Sequence, residues 1–176
     1  MATETIERPT KRFISDREWR ASDTTTTPPG DAMLSTMPEM RVFGRPSVGF
    51  VVVVSDAPPA WVTPTVQAIN RVLNLPSNWD SYGSGRVSPE IAGAALKLLL
   101  ETMGSDSPVP SVVPTSHGGI QLEWHTNGVD LEVELTSTIR LSGSFEDART
   151  GDAWEKDLTY DIRPLTDAIA RLSSNQ

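Results

Sequence analysis

The segment Gly119–Leu135 constrains the fold more than any other part of the chain, because GIQLEWHTNGVDLEVEL is two alternating runs around Asn127-Gly128. Asn-Gly favours a two-residue type I′ turn, which fixes the register of the strands on either side. In that register one face pairs Ile120 with Leu135, Leu122 with Val133, Trp124 with Leu131, and Thr126 with Val129. Turn chemistry and the period of two therefore both predict a β-hairpin with one apolar face.

The same register gathers polar residues on the other face. It pairs Gln121 with Glu134, Glu123 with Glu132, and His125 with Asp130. Glu123 and Glu132 would repel each other unless Arg140, a metal ion or a partner's Lys or Arg lay nearby. The set Glu123, Asp130, Glu132 and His125 is chemically compatible with a metal, although alternate strand positions nearly 7 Å apart form no specific ligand spacing. A solvated surface is the leading interpretation of this face, and partner contact is the next.

Composition predicts one globular domain with a tail, since 176 residues contain 38% hydrophobic and 22% charged residues. No apolar run approaches the roughly 20 residues of a membrane span, and the charged N-terminus does not resemble a signal peptide. The absence of cysteine excludes disulfides, thiolate nucleophiles and cysteine metal sites. We therefore expect a cytoplasmic protein that makes no membrane contact, and we expect no cofactor and no catalytic residues.

The net negative charge lies entirely on the predicted domain. Residues 1–47 contain seven basic and seven acidic residues, whereas residues 48–176 contain eight and sixteen, a net charge of −8. Such a surface repels phosphates, so direct nucleic-acid binding by the domain is disfavoured. The charge favours either simple solubility or a basic protein partner.

Residues 1–47 are predicted to be a mobile arm, because TTTTPPG and its neighbours cannot hold a helix or bury a core. Two apolar islands in the arm could become ordered on a partner or pack back on the domain. They consist of Phe13, Ile14 and Trp19, and of Met33, Leu34, Met37 and Met40.

Residues 48–176 are predicted to form an α+β two-layer sandwich, with an antiparallel sheet of four or five strands and helices on one face. Ser47–Asp56 is continuously apolar and β-branched, which is typical of a strand buried on both faces or of a central strand of the sheet. Helices are predicted after caps at Thr63, Ser88 and Asp161, with Gly104 ending the second in a left-handed conformation.

Two further strands are predicted after the hairpin. In Thr138–Phe145, Leu135 should face Ile139 across a three-residue loop, which would place Arg140 opposite Glu134. Ile139, Leu141 and Phe145 would then contact the core. A weaker strand, Ala153–Tyr160, would add Trp154, Leu158 and Tyr160 to the core.

The loop Leu75–Gly85 groups Asn78, Trp79, Asp80 and Tyr82 between two predicted helices. The aromatic residues could close one end of the core while Asn78 and Asp80 bond turn amides. Alternatively, the loop could be a recognition surface with an aromatic anchor.

Several motifs between Leu75 and Glu134 together resemble an uncharacterised bacterial protein family. They are NWD-x-YG, a Ser-Pro helix start, P-x-x-x-P, GG-x-QLEW and D-L-E-V-E. The family's pattern has glycine where this chain has Ser81. The resemblance implies a shared fold and a shared loop, and it implies no activity.

Two functions remain open at this point. The preferred one is a non-enzymatic module that binds another protein, as an antitoxin, immunity or defence-accessory protein would. Its partner would contact the sheet face through Glu123, Glu132, Glu134 and Arg140, the loop residues Asn78, Trp79, Asp80 and Tyr82, or the arm through Phe13 and Trp19. The alternative is a metal-assisted hydrolase that uses His125, Asp130, Glu123 and Glu132. A homodimer is compatible with either function.

Overall fold

The structure is a computed structural model that describes residues 40–45, 49–54 and 57–173. The elements in chain order are β1 Met40–Arg45, β2 Gly49–Val54, α1 Val62–Leu73, α2 Pro89–Thr102, β3 Ser111–Pro114, β4 Ile120–Thr126, β5 Val129–Leu135, β6 Leu141–Asp147, β7 Asp152–Asp157 and α3 Arg163–Ser173. Strands β3 to β7 form one antiparallel sheet in chain order, and helices pack on its apolar face. The predicted α+β two-layer sandwich is confirmed.

The β4–β5 hairpin has the register that the sequence predicts. Ile120 pairs with Leu135, Leu122 with Val133, Trp124 with Leu131, His125 with Asp130 and Glu123 with Glu132. Asn127 and Gly128 have φ values of 53° and 74°, as a type I′ turn requires. The apolar residues of both strands are therefore buried on one side, and their carboxylates lie on the other.

The core lies between the sheet and the helices. Ile120, Leu122 and Leu131 on the sheet are fully buried. The second helix, α2, begins as predicted, because the Ser88 hydroxyl accepts hydrogen bonds from the amides of Glu90 and Ile91. At the start of α3 the carboxylate of Asp161 accepts the amide of Arg163, the first helical residue, at 3.0 Å, and the residue directly before the helix is Ile162. The longest described helix has 14 residues, and none of those described is long and apolar enough to cross a membrane.

Strand β2 is not a central strand of the main sheet, so the central-strand alternative was wrong. It pairs antiparallel with β1 in a separate two-stranded sheet. The side-chain amide of Asn70 on α1 accepts the Phe50 N–H at 2.7 Å and donates to the Phe50 carbonyl at 3.0 Å. A long apolar run is compatible with either placement, because helix contacts can cover a strand as well as neighbouring strands can. Strand β1 also falls within the predicted arm, whose other residues, including Phe13 and Trp19, lie outside those described.

Strand β6 begins later than predicted. Leu135 pairs with Leu141, across the five-residue loop 136–140, and Glu134 pairs with Ser142. The Ser137 hydroxyl accepts the amides of Ile139 and Arg140, which stabilises the longer turn. Ile139 is therefore 75% exposed rather than in the core.

Strand β7 ends at Asp157, short of the predicted limit at Tyr160. Leu158 is buried and Trp154 is half-buried, as an inward orientation requires. Tyr160 is 98% exposed, so its predicted core position was wrong. The chain turns at Thr159, whose amide binds the Asp157 carboxylate, and Tyr160 thus points away from the sheet.

Two tryptophans hold the connection between α2 and β3. The indole N–H of Trp61, which is fully buried, donates to the Gly104 carbonyl at 2.8 Å, and that of Trp124 donates to the Pro108 carbonyl at 2.9 Å. Trp61, not Thr63, is the residue before α1, and α2 ends at Thr102 with an extended Met103. Gly104 does not adopt the predicted left-handed conformation. The connection leads into β3, a strand that the sequence did not reveal.

Candidate functional site

The exposed face of the five-stranded sheet carries a continuous set of acidic side chains. The registers of β4 to β7 place seven carboxylates there, and we name this surface the carboxylate face: Glu123, Asp130, Glu132, Glu134, Glu146, Glu155 and Asp157. On β3 to β7, all of which are described, His125 is the only basic side chain on this face. The sequence predicted four of the carboxylates as site candidates, and the structure brings all four together.

A neutral amide separates the opposed pair Glu123 and Glu132. The side-chain nitrogen of Gln121 lies 2.9 Å from a Glu123 oxygen and 3.1 Å from a Glu132 oxygen. One NH₂ group can donate to both carboxylates and so reduces their repulsion without neutralising their charge.

Arg140 does not contribute the predicted contact with Glu134. It lies in the loop 136–140, and the residue opposite Glu134 is Ser142. Hydrogen bonds from Thr159 are the main cause that lowers the pKa of Asp157, and the charge of Arg140 adds to the effect. Arg140 therefore borders the carboxylate face at one corner instead of crossing its centre.

His125 lies between two carboxylates. Its Nδ1 is 2.7 Å from Asp130, and its Nε2 is 3.5 Å from Glu123. The hydrogen bond with Asp130 is the main cause that raises the pKa of His125 above its ordinary value of 6.5, and Glu123 adds to it. Protonated His125 thus partly neutralises one end of the carboxylate face.

The stability of the protein should depend on pH through His125. A raised folded-state pKa means that its ion pairs stabilise the fold fully below the ordinary value of 6.5 and stop doing so as pH rises through the raised value. We expect the melting-temperature difference between wild type and His125→Gln to be larger at about pH 6 than at about pH 8.5. Thermal melting of wild type and His125→Gln across this pH range measures the difference, and His117→Gln is the control. A difference that does not vary with pH would contradict the assignment.

The predicted metal set does not converge. His125, Asp130, Glu123 and Glu132 all lie within the described part of the chain, where no group of three or more such side chains is arranged to hold a metal ion. The two ring nitrogens of His125 face the carboxylates of Asp130 and Glu123. The side-chain amide of Gln121 bridges Glu123 and Glu132. The arrangement gives an acidic surface rather than a coordination site.

A shallow trough follows the carboxylate face near β7. Its volume is about 670 Å³, and its lining includes His125, Glu132, Glu146, Ala153 and Glu155. Glu146, Glu155 and Asp157 were not among the predicted site residues. The alternation of β6 and β7 could have placed them there, but only with the register between these strands already known.

Residues of the 75–85 loop bond mainly to the loop itself. Asn78 accepts the Gly83 amide at 2.7 Å, and Asp80 accepts the amides of Tyr82 and Ser84 at 2.8 and 3.2 Å. The Ser84 side chain and then the Tyr82 amide hold the pKa of Asp80 below its ordinary value. These contacts match the structural role that the sequence allowed for Asn78 and Asp80.

The two aromatic residues of this loop differ in their environments. Trp79 is half-buried, and its buried indole nitrogen has no hydrogen-bond partner among the described residues. Tyr82 is 94% exposed and so does not close the core. Ser81 has a φ of 67°, a conformation that glycine adopts without strain. Of the two aromatic residues of the loop, Tyr82 is thus the more accessible to a partner.

Comparison of the chain with protein-family models, with curated proteins and with solved structures gave no match. The resemblance carried by the NWD-x-YG and GG-x-QLEW motifs therefore stays a prediction.

Proposed function

We propose that this protein is a non-enzymatic protein-binding module that docks a basic partner on the carboxylate face. The observation that supports the proposal is the alignment of seven carboxylates on one sheet face, where His125 is the only basic side chain contributed by β3 to β7. A field of one sign steers an oppositely charged partner and disfavours partners of like charge. For the same reason the proposal includes no nucleic-acid binding by this face.

The chemistry of the face suits recognition better than catalysis. Glu146 and Glu155 are exposed, so they can accept hydrogen bonds from Lys or Arg. Exposed Tyr82 offers a second contact on the loop. A cytoplasmic antitoxin, immunity or defence-accessory role would suit a cysteine-free, acidic protein of this kind.

Charge reversal on the face tests the proposal. We expect Glu132→Lys combined with Glu134→Lys to reduce copurification of the partner from the protein's own host by about tenfold or more, because like charges oppose docking. The matched control is Glu101→Lys combined with Asp106→Lys. This control changes the net charge by the same amount as the Glu132/Glu134 variant, but at exposed positions of α2 and the loop after it. Circular dichroism verifies that each variant is folded.

Two further variants separate the other contact surfaces. Tyr82→Ala tests the loop, and deletion of residues 1–39 tests the predicted arm without removing β1. Equal recovery of the same partner by wild type, the Glu132/Glu134 variant and the control would exclude the carboxylate face as the docking surface.

A further inference from the structure

Strand β7 leaves one edge of the main sheet unpaired within the described residues. The Leu158 amide donates to the Leu141 carbonyl at 2.8 Å, which extends the β6–β7 register by one pair. Hydrogen-bonded and non-hydrogen-bonded pairs alternate in an antiparallel ladder. Ala153, Glu155 and Asp157 are therefore the residues whose N–H and C=O groups point away from β6. All three are exposed.

The opposite edge is less suited to pairing. Strand β3 has four residues, and Pro114 at its end has no amide hydrogen to donate. Strand β7 has six residues and no proline. Its free edge thus offers a row of donors and acceptors that an extended chain could match.

A concavity lies on each side of β7. The trough described above occupies the carboxylate face, and a groove of about 510 Å³ lies on the other side, between β7 and α3. Ala153 and Trp154 line both of them. A strand added beside β7 would direct alternate side chains into the trough and into the groove.

The groove has an aromatic floor. The rings of Phe145 and Trp154 stack with their centroids 5.7 Å apart, and Trp154 is only half-buried. Lys156 and Arg171 each lie 5.5 Å from a ring of this stack. Partial exposure of a large ring favours an apolar side chain from a partner. The charges around the ring balance, because Asp152 and Asp167 line the groove together with Lys156 and Arg171.

The trough on the carboxylate face favours a basic side chain. Glu146 and Glu155 approach it from β6 and β7, and the small side chain of Ala153 lies opposite Glu146. A Lys or Arg from the added strand could reach both carboxylates across Ala153. A second copy of β7 is a poor match, because its own Glu155 and Asp157 would face these acids.

We propose that an extended segment of the protein partner, in which basic and apolar residues alternate, pairs with β7 as a sixth strand. Its basic side chains lie over the carboxylate face, and its apolar side chains enter the groove between β7 and α3. This inference rests on the proposed function and specifies the class of partner segment and the edge that receives it.

Synthetic peptides test the inference by isothermal titration calorimetry against the full chain. The probe is the peptide KVRFKVR, and its matched control has the same sequence with alternate backbone amides N-methylated in either phase. N-methylation keeps the charge of the peptide, and it removes pairing with β7 only in the phase whose amides face β7. We expect the peptide methylated on the amides that face β7 to bind about tenfold or more weakly than KVRFKVR, because main-chain hydrogen bonds supply much of the affinity in strand addition. The peptide methylated in the other phase should bind about as tightly as KVRFKVR, because its methyl groups point away from β7.

Ala153→Pro tests the receiving edge. It removes an outward N–H without changing charge, and proline is tolerated at such edge positions. Ala153→Thr, which keeps the N–H, is the control, and thermal melting verifies both folds. We expect only the proline variant to lose about tenfold or more in affinity for KVRFKVR.

The outcomes separate the two proposals. Weaker binding of one N-methylated form than of KVRFKVR and the other form, together with loss in Ala153→Pro, supports strand addition. Equal binding of all peptides, abolished by Glu132→Lys with Glu134→Lys, overturns strand addition and leaves docking by charge. Should Ala153→Pro not fold, the N-methylated peptides decide alone. Absence of binding by every basic peptide overturns strand addition, and unchanged copurification of the host partner by the charge-reversal variant overturns the proposed function separately.

Discussion

Replacement of Gly118 by alanine should lower the free energy of unfolding by about 2–5 kcal/mol. The left-handed backbone conformation would contribute about 1–2 kcal/mol of this loss, and a steric clash about 1–3 kcal/mol. Gly118 has a φ of 82°, and a Cβ there would lie 2.7 Å from the Arg86 carbonyl oxygen. That oxygen belongs to the backbone, so it cannot rotate away as a side chain could. The Gly118 carbonyl also accepts the Ser88 amide at 3.1 Å, and displacement would disturb the start of α2. Urea-induced unfolding measures the change.

The control for this prediction is Gly151→Ala. Gly151 has a similar φ of 77°, but no atom lies within 4 Å of a Cβ built there. It should therefore show the conformational strain alone, about 1–2 kcal/mol. If both variants lose the same free energy of unfolding, the close approach of Gly118 to Arg86 does not limit the packing.

Removal of the Trp61 side chain should be the most damaging core truncation, with Trp61→Ala lowering the free energy of unfolding by about 3–5 kcal/mol. The side chain is fully buried, and its N–H satisfies the Gly104 carbonyl. Trp61→Phe keeps an aromatic ring but leaves the Gly104 carbonyl without its donor, which should lower the free energy of unfolding by about 1–3 kcal/mol. Chemical denaturation of both variants separates burial from the hydrogen bond.

Trp154→Ala provides the comparison for Trp61. Trp154 is half-buried and stacks on one face of Phe145, so its truncation should lower stability by less than that of Trp61. A Trp61→Phe variant as stable as wild type would show that the bond to Gly104 makes no net contribution.

The parts of the fold that the sequence predicted are those where two independent signals coincide. At Asn127-Gly128 the turn chemistry and the alternation specify one register, and the observed pairs match it. At the β5–β6 connection only the alternation was present. Loops of three and five residues keep Leu141 on the same face, so the pattern could not distinguish the predicted Ile139 from the observed Leu141 as the partner of Leu135.

The candidate site was predictable only within single hairpins. Glu123, Asp130, Glu132 and His125 follow from the β4–β5 register, whereas Glu146 and Glu155 depend on how β6 pairs with its neighbours. The alternation of residues also could not predict which side chain would lie between Glu123 and Glu132. Repulsion between Glu123 and Glu132 suggested a cation, but the observed bridge is the neutral amide of Gln121.

The strand order of the main sheet has a consequence for how the chain acquires its fold. Each strand pairs with its successor in the sequence, across connections of two to five residues. The entropy lost in closing such short loops is small, and a topology with local contacts folds faster than one that joins distant segments. A nucleus at β4–β5 can therefore grow outward in both directions, and β7 would be the last strand added on its side.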